Sequence, residues 1–298
     1  MKDRVIKMGI VGHGFVGKAV DYGFENRLVE KYFVDPKYNT TIDDLVEWQP
    51  SVVFICAPTP MGEDGSIDAT IVLDSALKIL NHTDAGVIIK STITPAIVES
   101  LLDAVKYSES KLKRIVINPE FLTENNAREQ FVNPSFQVVG GHPTACSSVL
   151  DLYRTYSQCN KCEFHTMGAL EACFVKYAVN GFLATKVTFF NQFYDAVDDA
   201  GCNYNVIARA ISSDPRIGDT HMKVPGYDMK RGYGGACFPK DIRAFTKFTK
   251  RLTLLEKVDI INNQYRIIYE QDDREVLQNV NYGQTKEEHK DQLELDLS

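Results

Sequence analysis

Residues 232–241 read Gly-Tyr-Gly-Gly-Ala-Cys-Phe-Pro-Lys-Asp, with three glycines before one cysteine and a proline, a lysine and an aspartate after it. A cysteine so placed could be buried filler, a metal ligand or a nucleophile. Pro239 suits the first turn of a helix whose inner face would carry Ile242, Phe245 and Phe248. Cys237 would then stand at the helix N-terminus beside Lys240, where dipole and cation both favour the thiolate and should lower the thiol pKa. Gly232, Gly234 and Gly235 are expected to leave room for a substrate against the backbone.

A second glycine cluster lies near the start of the chain. "GIVGHGFVG" places Gly12, Gly14 and Gly17 in G-x-G-x-x-G order directly after an apolar run and at the opening of an amphipathic one. Gly12 permits a tight turn, Gly14 lets a pyrophosphate approach the backbone, and Gly17 allows close helix–strand packing. Phe15 and Val16 lie in the first turn of that helix, whose free amides and positive dipole end suit phosphate oxygens. Asp35 ends the next apolar run, where a carboxylate can accept bonds from ribose hydroxyls and would repel a 2′-phosphate. NAD is therefore favoured over NADP, although Lys37 argues mildly the other way.

These residues need a scaffold. Expected strands are 7–11, 31–35, 52–56, 87–92, 114–118 and 136–141, separated by segments of helical spacing. Continuous apolar strands alternating with helices predict an α/β fold, a Rossmann-type parallel sheet covered on both faces. Beyond residue 165 the character changes to all-α: one long helix over 170–200, a shorter one at 204–213, a Gly/Pro-rich loop, and a helix from Pro239 to about 275. The expected division is a dinucleotide-binding domain over 1–165, a helical domain carrying Cys237 over 166–270, and a polar tail over 271–298, of which 281–298 is expected to fray.

The chain has 298 residues, 44% hydrophobic and 24% charged, with net charge −7. That balance gives no electrostatic footprint for nucleic acid. The longest apolar stretches are strand-sized, so no membrane span is expected, and with no signal peptide pattern the reading is cytoplasmic. Seven cysteines without a secretion signal argue against a disulfide framework. Cys159 and Cys162 have zinc-like spacing, but no second C-x-x-C follows and His165 alone does not complete four ligands; no metal is expected.

The decapeptide together with "NPEFLTE" (118–124), "VKYAVNGFLATK" (175–186) and "APTPMGEDGSID" (57–68) resembles the UDP-glucose/GDP-mannose dehydrogenase family, from residue 8 to about 266. The resemblance implies oxidation of a sugar-nucleotide alcohol to a carboxylate by two hydride transfers to NAD, through an intermediate bound to Cys237. It implies Lys176 and Asn180 as oxyanion donors one helical turn apart, and Asp241 as the group that handles a proton with an ordered water and Lys240. Glu120 would activate the water that hydrolyses a thioester, helped by Glu124. Thr92 would reach the water and nicotinamide region, and Thr59, Pro60 and Lys240 would contact the cofactor. Phe121, Leu122, Arg216, Tyr233 and Gly234 would line the sugar-nucleotide site, and the long helix would form a homodimer.

The sequence departs from the family in places. Its members have a third domain that binds the nucleotide half of the substrate, whereas about 30 mostly polar residues follow Arg266 here, so that domain is expected to be missing. Cys173 and Gln192 stand where many relatives carry glutamate, without removing a chemical group from the scheme.

Overall fold

The computed structural model describes residues 4–123, 126–159 and 161–283. They form two compact units: residues up to Thr59 with Ile67–Lys176 make one, and Pro60–Ser66 with the chain from Tyr177 onward make the other. The early excursion at 60–66 and the later boundary inside a helix are not visible in the apolar pattern.

The first unit is built on seven strands: β1 (Ile6–Val11), β2 (Val29–Val34), β3 (Val52–Ile55), β4 (Gly86–Ile89), β5 (Ile115–Ile117), β6 (Phe136–Gly141) and β7 (Glu163–Met167), in the order β2-β1-β3-β4-β5-β6-β7. The first five are parallel. β3, β4 and β5 are nearly all Val, Ile or Phe, as strands covered on both faces must be, whereas the edge strand β2 carries Glu30, Lys31 and Tyr32. β6 enters antiparallel to β5, so the sheet is mixed and the expected all-parallel sheet is corrected at this edge. Among the described residues the connection to β6 contains the six-residue helix α6 (Ala127–Val132), which packs on the first helix, α1 (Phe15–Gly23), with Phe131 against Gly23. β7 pairs parallel with β6 and escaped the sequence reading because its residues are mostly exposed and carry no apolar run.

Helices α2 (Ile42–Trp48), α3 (Thr70–His82), α4 (Pro95–Ala104), α5 (Glu109–Leu112) and α7 (Pro143–Tyr156) complete this unit. Its core joins Met8, Ile10, Phe54, Ile88, Val116 and Val139 from the strands to Phe24, Phe131 and Tyr153 from the connections. Each such side chain, fully removed from water, stabilises by about 1.5–3 kcal/mol.

The second unit is helical. α8 (Ala169–Asp199) and α9 (Tyr204–Ser212) fall where helical spacing predicts them. The single helix expected from Pro239 to about 275 is instead two, α10 (Phe238–Phe248) and α11 (Thr253–Arg266), with Thr249 extended between them. Both have an apolar face, Ile242, Ala244 and Phe245 on one and Leu255 and Val258 on the other. A hairpin lets the two faces bury each other, and the β-branched Thr246, Thr249 and Thr253 make the break cheap.

Residues 271–283 of the polar tail carry structure, and most of the stretch expected to fray, 281–298, lies outside the described residues. Asp272 caps α12 (Asp273–Leu277) through a capping box with Glu275, and Val280 and Tyr282 are buried with Met61 from the 60–66 segment. The Met61 amide donates to Gln278 O at 2.9 Å.

Candidate active site

In the first unit, β1 delivers Gly12 at φ +83°, where a Cβ would meet the Cys56 carbonyl at 2.7 Å. At Gly17 a Cβ would lie 2.0 Å from Gly12 O, so the turn and the start of α1 can close only around glycine. Gly14, the N-cap of α1, has nothing within 4 Å of a would-be Cβ and makes no side-chain cap bond. Phe15 and Val16 follow, half-buried, in the first turn. A helix start with uncapped amides beside open space suits a diphosphate.

Asp35 follows β2 and accepts the His13 amide at 2.7 Å and the Lys37 amide at 3.2 Å. Burial pushes its carboxyl up, but these amides and the Lys37 charge together hold it below its ordinary value. The carboxylate is thus ionised and oriented at the strand end, as a ribose acceptor requires. His13, missed in the sequence, tucks between the glycines, with Nδ1 2.7 Å from Tyr38 Oη and Nε2 3.2 Å from Asp21. Thr59 is buried and donates to Thr92 O at 3.0 Å, joining two of the expected cofactor contacts. Pro60, half-buried, opens the segment that belongs to the second unit.

Beyond β5 stands Glu120, 7% exposed. Its Oε1 lies 3.1 Å from Lys176 Nζ, its Oε2 accepts the Leu122 amide at 2.6 Å, and its main-chain carbonyl accepts Lys176 at 2.6 Å. Phe121 lies under the same ammonium, 5.5 Å from nitrogen to ring centroid. Glu124 lies outside the described residues. Beneath Glu120, Lys90 donates to Asn118 O at 3.1 Å and Asn118 Oδ1 at 3.0 Å, and burial lowers its pKa to about 8. A cavity of about 260 Å³ opens there, lined by Lys90, Glu120, Phe121, Leu122, Phe136 and Gln137. Lys90 precedes the Ser-Thr of "KST"; a lysine at the end of an otherwise apolar strand was the available signal.

The second unit holds a separate group. Cys237 is the N-cap of α10, half-buried, and its carbonyl accepts the Asp241 amide at 3.0 Å. Asp241 is fully buried: one oxygen lies 2.6 Å from Lys240 Nζ and the other accepts Asn180 Nδ2 at 2.7 Å. A carboxylate with a cation on one oxygen and an amide on the other is both compensated and immobile.

Other expected contacts sit elsewhere in this unit. Arg216 is exposed and paired with Asp214, 2.6 Å from Nη2 to Oδ2. Tyr233 is buried, with its hydroxyl 3.4 Å from Asp259. Two of the decapeptide glycines make room for the protein's own side chains: a Cβ at Gly232 would lie 2.5 Å from Asn262 Oδ1, and one at Gly234 2.2 Å from Arg266 Nη2, whereas one at Gly235 would meet nothing nearer than Arg274 at 3.9 Å. Cys159 and Cys162 sulfurs are 3.7 Å apart, and among the described residues no group of three or more His, Cys, Asp or Glu is placed to hold a metal ion.

Comparison with known proteins shows the family. Two profiles of the UDP-glucose/GDP-mannose dehydrogenase family match, the NAD binding domain over residues 26–157 and the central domain over 170–264. A UDP-glucose 6-dehydrogenase of Pseudomonas aeruginosa is 35% identical over 204 residues, 66% of this chain and 44% of that protein. Another from Bacillus subtilis is 29% identical over 253 residues, 80% of this chain and 52% of that protein. The chain spans about half the length of the curated relatives it matches. Among solved structures, a UDP-glucose dehydrogenase from Pyrobaculum islandicum superposes with TM-score 0.74 at 26% identity, covering 88% of this chain and 69% of that one.

Proposed function

Since the chain belongs to the UDP-glucose/GDP-mannose dehydrogenase family, we propose that it oxidises the C6 alcohol of a nucleotide sugar, UDP-glucose first among them, to the carboxylate. The observation that carries this reading is the buried Lys240–Asp241–Asn180 cluster one helical turn from Cys237. Such a cluster costs folding energy and is retained where proton chemistry uses it.

Gly12, Gly14, Gly17 and Asp35 would hold NAD, two molecules of which, bound one after the other, would each accept one hydride. Asp241 with Lys240 takes the hydroxyl proton through water in the first oxidation. The Cys237 thiolate adds to the aldehyde carbon to give a thiohemiacetal, and loss of the second hydride leaves a thioester. Lys176 and Asn180 donate to the oxyanions that develop, each already oriented by a carboxylate. Glu120, held by Lys176 and the Leu122 amide, takes a proton from the water that cleaves the thioester, with Glu124 beside it in the chain. The acid leaves and the Cys237 thiol is regenerated. Thr59, Pro60, Thr92 and Lys240 on the cofactor, and Phe121, Leu122, Arg216, Tyr233 and Gly234 on the sugar nucleotide, complete the proposal.

A homodimer through α8 is proposed with it, supported by Phe182 and Phe189, seven residues apart, which are 68% and 58% exposed on that helix. Sedimentation tests it. Among the described residues no helix is long and apolar enough to cross a membrane, and a cytoplasmic location is the reading adopted.

The test is NADH formation with UDP-glucose, GDP-mannose and UDP-N-acetylhexosamines. Two NADH per UDP-glucose, abolished in Cys237→Ala, is the expected result; faster turnover of another sugar reassigns the substrate. Retained NAD binding with no turnover of any sugar would replace the enzyme with a non-catalytic NAD-binding dimer.

A further inference from the structure

The loop carrying Cys237 is held by side chains reaching it from three helices of its own unit. The Gly232 amide donates to Asn191 Oδ1 on α8 at 3.0 Å. On α11, Asn262 accepts the Tyr233 amide at 2.6 Å and donates to the Tyr233 carbonyl at 3.0 Å. The last hold is on α12, where Glu275 Oε1 accepts the Gly235 amide at 3.0 Å.

Glu275 is the anchor of a larger network. The same oxygen accepts Arg266 Nη2 at 2.6 Å and the Tyr282 hydroxyl at 2.7 Å, while Oε2 accepts the Asp272 amide at 3.0 Å. Arg266 is tied in turn to Asp228 at 2.6 Å, and Glu275 and Arg266 are 0% and 1% exposed. A buried carboxylate with this many charge-assisted partners has one low-energy place to be.

That place dictates the turn before the cysteine. Gly235 sits at φ +78°, a conformation that glycine adopts without steric cost but shares with many others in a free chain, and its amide points at Glu275, which selects it. Gly234 passes so close that a Cβ would lie 2.4 Å from Glu275 Oε1. Only Ala236 separates this turn from Cys237. We infer that Glu275 is a positioning residue for Cys237: its carboxylate fixes the Gly234–Gly235 turn and thereby sets the thiol at the start of α10. The catalytic consequence rests on the proposed oxidation, while the effect on the thiol does not.

The test uses full-length Glu275→Gln and Tyr282→Phe, with circular dichroism and NAD affinity as controls on the fold. Alkylation of Cys237 by iodoacetamide is followed on its own peptide by mass spectrometry, at a pH where the thiol is ionised and the rate reports access. Release of the turn should raise that rate about fivefold in Glu275→Gln and about twofold in Tyr282→Phe, the factors that follow from weakening a charge-assisted and an ordinary hydrogen bond. In turnover, kcat should fall with KM for the sugar unchanged, a split that general loosening of the fold would not give. An alkylation rate equal to or below wild type in folded Glu275→Gln, or in Tyr282→Phe should the first variant not fold, overturns the inference. Absence of NADH formation in the wild type strikes at the dehydrogenase reading instead, and the alkylation rates still decide the positioning role.

Discussion

Two glycine-rich turns carry the proposed chemistry, and they use glycine for opposite ends. At residues 12–17 the middle glycine, Gly14, faces open space, while Gly12 and Gly17 serve the closure around it. At 232–235 the crowding is internal: Gly232 and Gly234 lie against Asn262, Arg266 and Glu275. Each turn also hands an amide to a carboxylate, His13 to Asp35 and Gly235 to Glu275. Asp35 shares its site with solvent, whereas Glu275 is sealed among partners. The first turn is arranged to receive something, and the second to hold something still.

Substitutions should separate the two by size of effect. Gly17→Ala is expected to be the most damaging, because its Cβ would meet a main-chain oxygen that cannot yield; a loss of about 3 kcal/mol or more in denaturant unfolding is expected. Gly234→Ala should cost about 2 kcal/mol, since the Arg266 side chain it strikes can shift but only by loosening a buried ion pair. An equal or larger loss at Gly14 would break the contrast.

Acid separates the two carboxylates next. For Glu275, burial pushes the carboxyl up, but the Tyr282 hydroxyl, the Gly235 amide and Arg266 outweigh it and the net shift is downward. A carboxyl lowered on folding stabilises the protein above its unfolded-state pKa and loses that contribution as pH falls through the folded value. Wild type should therefore exceed Glu275→Gln by about 1–2 kcal/mol at neutral pH, with the gap closing below about pH 4.5. Asp35→Asn should show the same sign and a smaller gap, closing at lower pH, because its carboxylate is partly in water. Urea unfolding at a series of pH values reads both. Gly14→Ala should have the least effect on stability, within about 0.5 kcal/mol, yet lower NAD affinity about tenfold by titration, because the added methyl fills space the ligand needs.

The first turn was legible in the sequence because its logic is local: strand, three glycines and helix lie within a dozen residues. The parallel strands were legible for the same reason, as continuous apolar runs. Lys176, Asn180, Glu120 and Asp241 were named through resemblance, and the structure pairs them as Lys176–Glu120 and Asn180–Asp241. What escaped was non-local. Glu275 and Arg266 look like ordinary charged helix positions until the fold buries them, and nothing near Gly234 in the chain announces a guanidinium behind it. The polar composition of 271–280 gave no sign of a folded segment, because ion pairs and a capping box supply there the order that apolar residues usually supply. β7 escaped because an exposed edge strand has no core to write an apolar pattern.

The placement of Met61 has a consequence for synthesis. This residue lies in the seventh-decade stretch of the chain, but its amide partner Gln278 and its apolar neighbours Val280 and Tyr282 are more than two hundred residues later. A ribosome adding about 5–20 residues per second delivers those partners on the order of ten seconds or more after Met61 has emerged. All seven strands of the sheet are synthesised before that interval ends, so the 60–66 segment emerges long before its own unit can form. Its burial waits for Gln278, Val280 and Tyr282.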